Sequence, residues 1–186
     1  MRPEEIAFIV LAAGSSRRFG SENKLLADLD GLPVLAHVLQ TLSAFEFMDR
    51  IIVVGHDSCR VSDLALGTGF GVVENTDFDR GIGTSIAAGI RGSREARAYL
   101  IMLGDMPFVS SETVSRLVAS VSGAGQLAIC RCGDALSPPA LFGRDFRDTL
   151  MALTGDEGAR KVVRENRDSA IFLEVSSTEL TDIDTR

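Results

Sequence analysis

Residues 11–20 read Leu-Ala-Ala-Gly-Ser-Ser-Arg-Arg-Phe-Gly, and Lys24 follows closely. This composition suits a backbone that wraps tightly around phosphate groups. Small residues permit close approach, backbone N–H groups act as aimed donors, and Arg18 and Lys24 bring the positive charge that a tri- or pyrophosphate demands. Spacing excludes the Walker loop, which needs four residues before Gly-Lys-Ser/Thr: five separate Gly14 from Gly20, and Ser21 comes next. The dinucleotide fingerprint needs another glycine between Gly14 and Gly20, and none is there, so nicotinamide or flavin binding has little support.

A second feature with chemistry in it is Asp105, which follows the apolar run 99–103 where a buried strand reaches the surface. A carboxylate there is placed to hold a metal. Mg²⁺ prefers oxygen ligands and takes one or two protein carboxylates, with phosphates and water filling the other positions. The competing reading has Asp105 simply opening a turn before Met106-Pro107. The two histidines fit less well: His37 falls in a helical pattern and reads as structural, and His56 follows a strand and reads mainly as an exposed loop residue.

These residues resemble the signature of the MobA-like nucleotidyltransferases, most closely the cytidylyltransferase branch that acts on the molybdenum cofactor. The pattern is Leu11-Ala12-Ala13-Gly14-x-Ser16-x-Arg18-x-Gly20-x-x-x-Lys24. Asn75 with Gly81 and Ser85, the run Gly104-Asp105-Met106-Pro107, the segment 139–143, the stretch 154–160 and Asp182-Ile183-Asp184-Thr185 follow in the family's order. One departure is Ser137-Pro138-Pro139, which stands where relatives usually show a glycine and one more residue before the proline.

The resemblance implies nucleotide contacts from Leu11, Ala12, Ala13, Gly14, Ser15, Ser16, Arg18, Lys24, Asn75, Ser85 and Gly104. It implies Arg18, Lys24 and Asp105 as the catalytic set, and Asp184 as partner to Asp105 around Mg²⁺ or Mn²⁺, with Asp182 the competing choice. On the residues alone, Asn75 also fits a turn and Ser85 a helix start. The implied reaction is attack on the α-phosphorus of CTP, or of GTP, by the terminal phosphate of molybdopterin, with pyrophosphate leaving toward the basic loop. Ala13 stands where guanylyl-transferring relatives carry glycine, which favours CTP. Other small phosphates as acceptors, and a carrier that binds the pterin without turnover and hands it to a recipient molybdoenzyme, are the alternatives.

The elements that must position these groups alternate between short β-branched runs and helical patterns, as in an α/β sheet. Strands are expected at 6–11, 51–54, 71–74, 98–103, 127–132 and 170–175, and helices at 33–44, 59–65, 82–91, 111–122, 144–153 and 158–166. Ser110 offers an N-cap, and Asp30-Gly31 a turn. The loop at 14–20 and Asp105 both follow strands, at the edge where open parallel sheets hold ligands. The resemblance adds a Rossmann-like three-layer sandwich, mostly parallel with one antiparallel strand, of the nucleotide-diphospho-sugar transferase type.

At 186 residues and 45% hydrophobic content, the chain reads as one globular domain, 1–186. A net charge of −7 argues against general affinity for nucleic acid, so phosphate binding must be local. The absence of a long apolar run or a signal-peptide pattern leads to the expectation of a cytoplasmic protein without membrane contact. Three cysteines, Cys59, Cys130 and Cys132, make neither a disulfide framework nor a good zinc site.

Overall fold

The computed structural model describes residues 1–16, 19 and 22–183. Its strands are β1 (Ile6–Ala12), β2 (Asp28–Leu29), β3 (Leu32–Pro33), β4 (Asp49–Val54), β5 (Gly71–Glu74), β6 (Ala98–Leu103), β7 (Leu127–Cys132), β8 (Ala135–Gly143) and β9 (Ile171–Glu174). Its α-helices are α1 (Val34–Ser43), α2 (Ser58–Ala65), α3 (Ile82–Gly92), α4 (Ser111–Ser120), α5 (Arg147–Met151) and α6 (Gly158–Glu165). Strands β2 and β3 form a small separate hairpin turned by Asp30-Gly31.

The main sheet has the order β5-β4-β1-β6-β8-β7-β9. Pairings are parallel except those of β8, which runs against both β6 and β7. Strand β1 is buried along its whole length, because both faces of a parallel strand are covered by helices. Phe8 and Val10 pack with Leu35, Val61 and Leu117 under α1, α2 and α4. Ile9 and Leu11 pack with Ile86, Leu150 and Val162 under α3, α5 and α6. The result is the expected three-layer sandwich with one reversed strand.

Helix α4 begins as its sequence indicates: the Ser110 hydroxyl accepts the Thr113 N–H at 3.1 Å. Besides the short hairpin strands β2 and β3, which flank the expected turn, two elements differ from expectation. The helix expected at 144–153 is a 3₁₀ turn, Arg144–Phe146, leading into α5. Strand β8 has no counterpart among the strands read from the sequence, because Pro138-Pro139 reads as a strand terminator. The prolines fit where they are. The β6 ladder reaches β8 only at Ala140–Gly143, and the β7 ladder shifts register between Ile129 and Cys130 opposite the prolines. Pro138 and Pro139 therefore sit at an irregularity where the β6–β8 pairing has already ended.

Candidate active site

The loop after β1 folds back on itself around Ser16. With φ of 49° this residue takes the left-handed conformation, and its carbonyl accepts the Phe19 N–H at 2.8 Å. Its hydroxyl accepts the Lys24 N–H at 3.2 Å and donates to Asn23 Oδ1 at 3.3 Å. Asn23 in turn accepts the Leu25 N–H and caps the short 3₁₀ turn Lys24–Leu26. The loop thus returns Lys24 to the carboxyl end of β1. There the Lys24 ammonium forms an ion pair with the carboxylate of Asp105, which follows β6, the strand next to β1. The two side chains are only 15% and 13% exposed.

One cleft of about 470 Å³ takes in Leu11, Ala12, Ala13, Gly14, Ser15, Ser16, Lys24, Ser85 and Asp105. Nine of the residues expected at a nucleotide site therefore share a surface. Arg18 and Asp184 lie outside the described residues. The approach of the C-terminal segment is visible all the same, since the Ile183 N–H donates to the Asp105 carbonyl at 3.1 Å. That bond brings Ile183 to Asp105, and Glu179 holds the same segment by accepting from Ser110 N and Oγ at 3.1 and 2.7 Å.

Gly104 and Asn75 are buried behind the lining. The Gly104 N–H donates to the Leu11 carbonyl at 2.9 Å and ties the ends of β6 and β1 together. Asn75 donates from Nδ2 to Thr84 Oγ1 and Ser85 Oγ, both at 2.9 Å, and accepts the Asp77 N–H at 3.1 Å. Its amide, counted among the implied nucleotide contacts, here braces the segment 75–85, which places Ser85 in the cleft. His37 is structural, its Nε2 lying 2.8 Å from the Leu29 carbonyl, and the exposed His56 donates its N–H to the Ala13 carbonyl at 3.2 Å.

Sequence reasoning did not place Phe78, Asp79, Ile82 or Asp156 at the site, yet all four line the cleft. Two glycines bring Asp156 there. Gly81 has φ of 112°, and a Cβ there would collide with the Gly155 carbonyl group and come 2.7 Å from Asp156 N. Gly83 donates its N–H to the Gly155 carbonyl at 2.8 Å. The start of α3 and the turn at 154–156 are thus in contact, which carries Asp156 to the cleft. Gly81→Ala is accordingly expected to destabilise the protein by at least about 2 kcal/mol, a fall of about 5 °C in melting temperature. Thermal denaturation followed by circular dichroism checks this, and an unchanged midpoint would refute the close approach.

The cleft's donors suit a hard divalent ion. Carboxylates of Asp79, Asp105 and Asp156 line it. Among the described residues no three His, Cys, Asp or Glu side chains are grouped as a closed metal centre. An ion that draws most of its shell from phosphates and water fits such a site. Cys130 is buried, its thiol pushed up to about 12 by that burial, which agrees with a filler role.

A mostly parallel sheet with its cleft at the strand carboxyl ends is the arrangement of α/β domains that bind ligands at that edge. The chain belongs to the MobA-like NTP transferase domain family, which it matches over residues 8–170. It is 33% identical over 175 residues to the bifunctional protein GlmU of Lactococcus lactis subsp. cremoris strain SK11, covering 92% of this chain and 36% of that protein. The chain spans about a third of the length of such curated relatives. Among solved structures, a nucleotidyl transferase from Methanothermobacter thermautotroptrophicus (Mth528) shows 26% identity and a TM-score of 0.83, covering 97% of this chain and 92% of that one. Rv0371c of Mycobacterium tuberculosis H37Rv, solved in complex with manganese, shows 29% identity and a TM-score of 0.74, covering 92% and 88%. No helix among the described residues is long and apolar enough to cross a membrane.

Proposed function

We propose that this protein is a divalent-cation-dependent nucleotidyltransferase that transfers CMP from CTP to the terminal phosphate of molybdopterin, giving a cytosine dinucleotide cofactor and pyrophosphate. The observation that carries nucleotidyl transfer is the meeting of Lys24 and Asp105 in one cleft walled by the backbone of residues 11–16. The N–H groups of that loop and the Lys24 ammonium hold the β- and γ-phosphates, so the leaving pyrophosphate forms against positive charge. Asp105, with Asp184 as its proposed partner, would hold Mg²⁺ or Mn²⁺, which supplies charge neutralisation on the triphosphate.

The acceptor needs no base from the protein. A phosphate monoester has its second pKa at about 6, so its oxygen is already anionic at neutral pH. That oxygen bonds to the α-phosphorus as the bond to the β-phosphate bridging oxygen breaks. The protein's part is alignment. In the sheet, β8 and β7 lie on the far side of β6 from the loop, so the β7–β8 hairpin is the segment proposed to meet the acceptor. The choice of CTP rests on Ala13, whose methyl lines the cleft.

A second reading, a sugar phosphate as acceptor, draws on the exposed carboxylates of Asp79 and Asp156 at the cleft, which suit hydroxyl groups as hydrogen-bond partners. Incubation with each of CTP, UTP, GTP and ATP against molybdopterin and against sugar 1-phosphates, with pyrophosphate release as the readout, separates the two. Release with CTP and molybdopterin alone is expected. Release only with sugar phosphates would replace this acceptor, and release with no pair would refute nucleotidyl transfer to either class.

A further inference from the structure

Resting on the nucleotidyl-transfer reading, we infer that Phe78 is the residue that limits the size of the base, admitting pyrimidines and hindering purines. The loops that form the cleft follow strands in the order β5, β4, β1, β6, and neighbouring strands lie about 4.8 Å apart. The charged pair Lys24–Asp105 occupies the β1–β6 end. A triphosphate bound there directs its nucleoside toward the β4–β5 end, where the lining is Ala13, Phe78 and Ser85.

Phe78 cannot easily leave that position. It opens the 3₁₀ turn Phe78–Arg80, whose preceding residue Asp77 is fixed at its N–H by Asn75 and at its carbonyl by the Thr84 hydroxyl, at 3.1 and 3.0 Å. The ring is pressed against the end of β4. A Cβ on Gly55 would lie 2.7 Å from Phe78 Cβ and Cγ and 2.9 Å from Ala13 Cβ, so the missing side chain at position 55 is what lets Phe78 and Ala13 close on one another. The His56 ring, with its centroid 6.3 Å from that of Phe78, stands against it as well. Phe78 is therefore a fixed apolar wall joined to the Ala13 methyl, and the second ring of a purine competes with it for space. Close packing makes such a wall selective, because neither a braced turn nor the end of a buried strand yields without cost.

The test is calorimetric titration of the intact protein with CTP, UTP, GTP and ATP in the presence of Mg²⁺ and without acceptor, so that binding is read without turnover. The wild type is expected to bind pyrimidine triphosphates about 10-fold or more tighter than purine ones, and Phe78→Ala to bring the two classes within about 3-fold by gaining purine affinity. An unchanged purine-to-pyrimidine ratio in Phe78→Ala, or a wild type that binds both classes alike, would overturn the inference. Should Phe78→Ala fail to fold, Phe78→Val, which keeps an apolar side chain but is markedly smaller, is judged by the same ratio. A wild type that binds none of the four triphosphates would instead refute the nucleotidyl-transfer reading.

Discussion

Asp105→Asn is expected to lower turnover at least ~10³-fold while moving the melting temperature by no more than a few degrees. The amide keeps the shape of the carboxylate but carries no charge, so it cannot neutralise a divalent ion and holds the Lys24 ammonium only weakly. The side chain is 13% exposed and sits beyond the end of β6, clear of the packed faces of the sheet. Little of the fold depends on it. Initial rates of pyrophosphate release, measured beside a thermal melt, give both quantities. Retention of more than about a tenth of wild-type turnover would remove Asp105 from the reaction, since a group acting on transition-state charge is worth more than that.

The second large effect belongs to Lys24, and it has two parts of opposite direction. Lys24→Met keeps much of the apolar stem and deletes the ammonium, so turnover is expected to fall by about 10²-fold through loss of charge on the departing pyrophosphate. In the protein without nucleotide, however, the same substitution removes the cation paired with Asp105. Manganese titration followed by electron paramagnetic resonance, with no triphosphate present, is then expected to show tighter binding than in wild type. A lysine that served phosphates alone would lower turnover and leave manganese affinity unchanged.

The distribution of what could be read from the sequence has physical reasons. Strands β1 and β6 were legible because a strand covered on both faces is apolar at every position, and Leu11 and Leu103 end those runs just where the site begins. The loop at 11–16 and Lys24 were legible through residue type and spacing, since close backbone approach to an anion restricts both. Strand β8 was not, because proline's effect depends on which neighbouring ladder has already ended, a tertiary fact. Phe78 and Asp156 were missed for a related reason. An aromatic between turn residues, or an acidic residue in a polar stretch, has no local mark of facing a cleft formed by distant segments. Asn75 shows the converse: the segment it belongs to was identified, but its amide donors close on Thr84 and Ser85, partners nine and ten residues away.

The reversed direction of β8 has a consequence for how this molecule can change. A parallel neighbour after β7 would require a long crossover, whereas a descending strand is reached through the two residues Gly133 and Asp134. The stretch of rim beyond Asp105 is consequently a hairpin tip, held by its own two strands and independent of the segment that carries Lys24. Lineages could lengthen or recompose that tip and so alter which molecule receives the nucleotide, leaving the grip on the donor untouched. Grafting a hairpin from a relative onto positions 132–135 would put that modularity to use in the laboratory.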